Sequence, residues 1–500
     1  MRPPISPPAE GRAPAVGLAT PESSRLRRFL AIDERESFIT PAQTTSGQLL
    51  IVLTATLALA PHLGNWAAAL AAGAAMSAAV RPNLRDPILF AATWATAFIG
   101  TALGENDTLD NIVAVIQQER VIDLSPVALA TGFLLLLAIA VSGVLYWVRR
   151  VPQSVLARRP LVTLLTLEAL LCGFANLDLM QGQPRVMLWA AIFVLTPYLW
   201  FLPYAIVDVR SRGASSPLMQ LAVLRPFWSP TYLPFGKGAA FLRRHLAQTP
   251  RDLAITQLKA VKLLLWANVL FALRDGLSWV FEAQMQIPRV AQALDAFLGG
   301  EPYPLLTGWA AMILSTAKFS LKIAAWAHLF IGIARLAGYR LPRGSWRPLE
   351  SRTLMDYFNR FHYYFKELLV DFFFIPTFFK MFRKHPRLRM FFATFMAAGV
   401  GNAIWHFTRD IQLVATLGPA AALESYTSYA FYCVMLATGV GLSQVRVSMG
   451  IRPSATPIGR LYSFLFVWSF VVCMHVFSDE SHNHTLGERL SFLASLFGVL

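Results

Sequence analysis

Cysteine is nearly missing from this chain: Cys172, Cys433 and Cys473 are the only three among 500 residues, far apart and each in apolar surroundings. That spacing excludes a disulfide framework and a thiolate zinc site, and leaves three small buried hydrophobes. Charged residues are also few, at 14%, below what the surface of a soluble protein of this size carries. There is no glycine-rich phosphate loop, no Ser–His–Asp order of the hydrolase type and no Cys-x-x-Cys pair, so the chemistries those motifs support are not indicated. The opening stretch has no apolar run of signal-peptide type. Residues 1–48 are instead expected to form a disordered, Pro-rich cytoplasmic tail, as Arg2-Pro-Pro-Ile-Ser-Pro-Pro8 suggests.

What is abundant is apolar sequence, 55% of residues, with a mean hydropathy of +0.49. Windows long enough to cross a bilayer recur. They are Leu49–Pro61, Asn65–Val80, Pro87–Leu103, Pro126–Val148, Pro160–Ala175, Val186–Val207, Ala260–Phe281, Leu305–Leu336, Leu388–Phe407, Thr427–Leu442 and Leu461–Phe477. The expected fold is therefore all-α: a multi-pass transmembrane helical bundle of about eleven spans over residues 49–500, with Leu490–Leu500 packed on it.

Arginine and lysine outnumber aspartate and glutamate by 44 to 28. No basic domain stands outside the apolar windows, so nucleic acid is not an expected partner. The cations instead collect in alternate loops: Arg25, Arg27 and Arg28; Arg81 and Arg85; Arg149, Arg150, Arg158 and Arg159; Arg210 and Arg212; then Arg225, Lys237, Arg243, Arg244 and Arg251. The other loops, 104–110, the Glu301 stretch and 478–484, are poor in them. The positive-inside rule then places the N-terminus in the cytoplasm.

Polar residues inside such a bundle are costly and point to function. His406 ends an apolar helix, with Asn402 four residues earlier and so on the same face, and Ala398 and Gly399 one turn further back. Position alone leaves two readings: an interfacial histidine beside Thr408, Arg409 and Asp410, or a base that takes a proton from a hydroxyl. Asn402 would orient that ring or hold a carbonyl oxygen. His362 lies in a segment, 351–375, whose spacing predicts an amphipathic helix in the membrane interface. Asp356, Asn359, Arg360, Tyr363, Lys366, Glu367 and Asp371 form its polar face, and Phe358, Phe361, Phe365, Leu368 and Phe372 the other. Lys318 and Lys322, one turn apart in an apolar span, either pair within the bundle or receive the phosphates or pantetheine end of a ligand. Arg274-Asp275 reads as an internal ion pair and His328 as part of a packed face. His482-Asn-His484 with Asp479 and Glu480 reads as a solvated loop, and no metal is expected.

From Phe319 to Asp410 the chain resembles the membrane-bound O-acyltransferase superfamily, in particular the bacterial branch of alginate O-acetylases and the teichoic-acid D-alanyl transferase. Four blocks carry the resemblance, in order: Ile331-Gly-Ile-Ala-Arg-Leu-Ala-Gly-Tyr-Arg-Leu-Pro342, Leu354-Met-Asp-Tyr-Phe-Asn-Arg-Phe-His362, Glu367-Leu-Leu-Val-Asp-Phe-Phe-Phe-Ile-Pro376 and Ile404-Trp-His406. The chain departs from the branch at Phe358 and Phe361, where tryptophan is usual, at the apolar run Ala324–Phe330, and at Thr377-Phe-Phe after Pro376.

The resemblance implies direct acyl transfer from a thioester donor, acyl-CoA or an acylated carrier protein, to a hydroxyl of a polysaccharide, lipid or small molecule. His406, His362 and Asn402 are then the expected catalytic residues, and Asn359, Lys366, Asp371, Lys318 and Lys322 the expected substrate contacts. No cofactor beyond the donor is implied. The expected partners are donor, acceptor, bilayer and an acyl-delivery or export protein, in a bacterial cytoplasmic membrane. Two rival readings are a multi-pass transporter or flippase, and a catalytically inactive scaffold of the same family.

Overall fold

The computed structural model describes residues 31–103, 107–211, 215–478 and 483–499. The helices that matter for the site are α1 (Thr45–Leu63), α2 (Asn65–Val80), α3 (Arg85–Ala102), α4 (Asp107–Glu119), α5 (Pro126–Arg150), α6 (Pro160–Ala175), α7 (Gln183–Leu195) and α8 (Leu202–Val209). After them come α9 (Pro250–Leu277), α10 (Leu305–Leu336), α11 (Leu354–Phe361), α12 (Tyr363–Leu369), α13 (Pro386–Phe395), α14 (Asn402–Arg409), α15 (Thr427–Ser448) and α16 (Pro457–His475). Among the described residues there is no β-strand, only an isolated bridge between Leu246 and Tyr339. Local chemistry sets many of the starts. Proline opens α5, α6, α9, α13 and α16, where its missing N–H costs nothing. Side chains of Thr44, Ser125, Thr249 and Thr353 accept a first-turn backbone N–H at 3.2, 3.3, 3.0 and 3.0 Å.

Among the described residues, eight helices are long and apolar enough to cross a membrane, and the pair 183–198 and 202–209, bent by 62°, makes a ninth if it is one span. Two more of the expected windows, α2 and α6, are helices of 16 residues, short of that length. Large apolar side chains such as Leu49, Leu53, Leu57, Leu136 and Ile139 point outward, as a lipid-facing surface requires. Small residues face inward: Ala55, Ala68, Ala72 and Ala75 are fully buried where α1 meets α2, and Gly332 lets α10 close on Leu264 of α9.

Two expectations are corrected here. The tail does not run to residue 48, because 32–34 and 36–42 are helical and α1 starts at Thr45. Ile39 and Ala42 are buried and Lys262 of α9 reaches Asp33 at 2.5 Å, so this stretch packs on the bundle; residues 1–30 lie outside the described residues. The single amphipathic helix over 351–375 is also broken: α11 ends at Phe361, His362 is non-helical at φ −121° and ψ 54°, α12 follows, and 370–374 is a π-helical turn. The break is tied down by the segment before it. Tyr363 N–H donates to Gly344 O at 3.1 Å, Trp346 N–H to Arg360 O at 2.7 Å and Tyr364 Oη–H to Pro342 O at 3.1 Å.

Candidate functional site

His362 is placed by that break, and His406 by a second irregularity. Residues 396–401 form a π-helical turn leading directly into α14, an arrangement common at functional sites. Glycine makes the turn possible. A Cβ on Gly401 would stand 2.7 Å from the Phe373 ring, and one on Gly399 3.0 Å from Ala437 of α15. Tyr426 Oη–H donates to Ala403 O at 2.8 Å and Trp200 Nε1–H to Thr408 Oγ1 at 3.1 Å, holding α14 from two sides.

The two irregular segments bring His362, His406 and Asn402 to the wall of one cavity of about 450 Å³, which Asn359 and Lys366 also line. The cavity is long. Tyr429, Tyr432, Leu436, Val440 and Gln444 line it from one face of α15, and residues 429 to 444 span about 22 Å of helix. Both ends are polar, with Thr394 Oγ1–H donating to Gln444 at 2.7 Å at one end and Arg409, Tyr429 and Ser478 at the other, while Leu436 and Val440 supply apolar wall between them.

His406 Nε2 is 2.7 Å from the Tyr429 hydroxyl, and its ring stands edge-on to Phe365 at 6.2 Å. Phe365 in turn is edge-on to His362 at 6.4 Å, so one phenyl ring contacts both imidazoles. His406 Nδ1 and Asn402 Oδ1 are both buried without a hydrogen-bond partner, leaving two polar atoms one helical turn apart for a ligand to engage. His362 borders the cavity yet lies deep in the protein, and burial pulls its pKa down to about 4. It is a neutral imidazole at physiological pH.

Three expected contacts lie apart from this cavity. Asp371 is taken up by Lys237 Nζ at 2.7 Å and by the Tyr204 hydroxyl at 2.9 Å. Lys318 pairs with Glu282 at 2.5 Å, and Lys322 is exposed. Glu367 bridges Lys237 at 2.9 Å and Lys366 at 2.6 Å. Burial opposes its charge, but the two ammonium groups prevail and its pKa is lowered. Burial likewise opposes the charge on Lys237, and Asp371 and Glu367 prevail to raise it.

Of the remaining features, Ala398 lines the cavity as expected while Gly399 turns to Ala437 instead, because the π-turn shifts the register. Arg274 pairs with Asp275 at 2.6 Å, but Asp275 is 63% exposed and the pair is not internal. His328 is half-buried and bonded to Ala324 O at 2.6 Å. His484 bonds Asp295 at 2.7 Å, whereas Asp479, Glu480 and His482 lie outside the described residues. Among those described, no cluster of His, Cys, Asp or Glu is arranged to hold a metal ion.

The sequence reading missed Tyr429. Its signal was the series Tyr426, Tyr429, Tyr432, three tyrosines at three-residue steps in an apolar span. No protein-family model and no curated protein matches this chain significantly.

Proposed function

We propose that this chain is a membrane O-acyltransferase that moves an acyl group from a thioester to a hydroxyl. The carrying observation is convergence: His362, from a broken helix, and Asn402 and His406, from a helix about forty residues further on, line the same elongated cavity. The four-block resemblance supports the same reading. In this mechanism His406 takes the acceptor's hydroxyl proton as the oxygen attacks the thioester carbonyl. The tetrahedral oxyanion accepts hydrogen bonds from the Asn402 amide and neutral His362. The C–S bond then breaks, and the thiolate takes the proton back from His406 and leaves as a thiol. No covalent enzyme intermediate is needed.

The cavity's length suits two substrates meeting end to end, a slender thioester arm along the Leu436 and Val440 wall and a hydroxyl at the Tyr429 end. The chain is proposed to sit in a bacterial cytoplasmic membrane with its N-terminus inside, and α2, α6 and the bent pair are proposed to complete eleven spans. The test is thiol release from acetyl-CoA and from a longer acyl-CoA by detergent-purified protein. Turnover is expected to fall at least about a hundredfold in His406→Ala. Turnover that survives the substitution rejects His406 as the base. Substrate movement across vesicles that is indifferent to His406 supports the transporter instead.

A further inference from the structure

Across Tyr232 and Trp405 from the histidine chamber lies a second cavity, of about 380 Å³, that none of the proposed catalytic residues lines. The two are close neighbours. Tyr232 lines this one and Leu233 the other, and the Tyr232 ring meets Trp405 edge-on at 6.5 Å. The charge pattern treats 225–251 as an ordinary basic loop, but its first part is built into the bundle. Thr93, in the middle of α3, donates to Ala222 O at 2.7 Å and accepts from Phe227 N–H at 3.3 Å. Trp228 and Ser229 are buried there.

This cavity's chemistry differs from that of the histidine chamber. Threonines of α3, Arg225, Ser229, Tyr198 and Tyr232 line it, and Asp107, exposed at the start of α4, stands at its mouth. Polar groups between membrane helices are costly to keep and are found where a ligand or pathway uses them. Arg225 is fixed over the Tyr198 ring at 5.5 Å and gives one N–H to Pro230 O at 2.8 Å, which leaves further donors of its guanidinium. Neither Arg225 nor Asp107 has an ion-pair partner among the described residues.

A site offering a fixed cation, a carboxylate and several hydroxyls needs a ligand that both donates and accepts. Phosphate is mainly an acceptor and its negative charge is opposed by Asp107; an ammonium group only donates and its positive charge is opposed by Arg225. Vicinal hydroxyls, each both a donor and an acceptor, satisfy both. We propose that this cavity binds a polyhydroxylated ligand, a sugar or polyol, beside the histidine chamber. Naming that ligand the acyl acceptor rests on the acyl-transfer reading; its binding does not.

The experiment is equilibrium binding of radiolabelled glucose, mannose, N-acetylglucosamine, myo-inositol and glycerol to the full chain, in a detergent without a sugar headgroup, with inorganic phosphate as counter-probe. Saturable binding of at least one of the five is expected. It should weaken at least about tenfold in Asp107→Asn and in Gly100→Phe. Gly100 lines the cavity and a Cβ there meets nothing within 4 Å, so the larger side chain fills the space without a clash at Cβ. His406→Ala should bind as wild type does, whatever happens to turnover. The proposal is overturned if none of the five binds, if both cavity variants bind normally, or if phosphate alone binds.

Discussion

The Tyr429 hydroxyl stands 2.7 Å from His406 Nε2, while His406 Nδ1 is buried and unpartnered. A neutral imidazole carries one proton, and the phenol decides where. If Nε2–H donates to the Tyr429 oxygen, Nδ1 is left as the basic nitrogen; if the phenol donates, Nε2 stays basic and Tyr429 stands where an acceptor hydroxyl would. On both arrangements the phenol fixes the ring's orientation. Tyr429→Phe is therefore expected to lower kcat by roughly 10–100-fold with KM almost unchanged, since the lost bond is to the base and not to substrate. Steady-state kinetics on the purified variant check this. A raised KM at constant kcat would place Tyr429 on the substrate instead.

His362 predicts a pH dependence of stability. The unfolded chain takes up its proton near the ordinary value of 6.5, whereas the folded chain resists until about 4. The folded state therefore binds fewer protons in that window. The group's contribution is whole above pH 6.5 and is lost as pH falls toward 4, up to about 3 kcal/mol in all and about 2 kcal/mol of it by pH 5. Melting in detergent at pH 7.5 and pH 5 should show a smaller drop for His362→Gln than for wild type. Equal drops would show that His362 is solvated.

Lys237 joins the 225–238 segment to the broken helix through Glu367 and Asp371. Its side chain is only 14% exposed and it has a left-handed backbone at φ 61°, a conformation a lysine adopts only when its surroundings hold it there. Lys237→Met leaves Asp371 with the Tyr204 hydroxyl alone and should destabilise by roughly 2–4 kcal/mol. Adding Asp371→Asn should recover part of that, because the stranded charge is gone. Thermal melts of both variants decide it, and a double variant no better than the single rejects the ion pair as the cause.

The bundle was legible because hydrophobic length is a one-dimensional property: α1, α5, α10, α15 and α16 each fall on an expected window. So were His362 and His406 as a pair, since polar residues stand out in apolar sequence. The break at His362 was not. An amphipathic pattern continues through it, and what interrupts the helix is a tertiary hydrogen bond to Gly344 with no local signature. The ion pairs of Asp371 and Lys318 were not legible for a related reason, because their partners, Lys237 and Glu282, are remote in sequence. Arg225 misleads a charge count in the same way. It looks like one more basic loop residue, yet it lines a cavity with Asp107 from the opposite end of α3.

That conflict makes orientation worth testing residue by residue. Asp123 and Glu301 fall in the cation-poor connections, Gln153 and Arg343 in the cation-rich ones, and all four are exposed. Cysteines at the first pair should react with a membrane-impermeant maleimide on intact cells. Those at the second should react only after permeabilisation. Native background should be low, because Cys172 and Cys433 are buried and Cys473 half-buried. The reversed pattern would put the N-terminus outside. A mixed pattern, with 123 and 153 labelled from the same side, would mean that α5 does not cross as a single span between its flanking loops, and the positive-inside argument would then fail at its clearest helix.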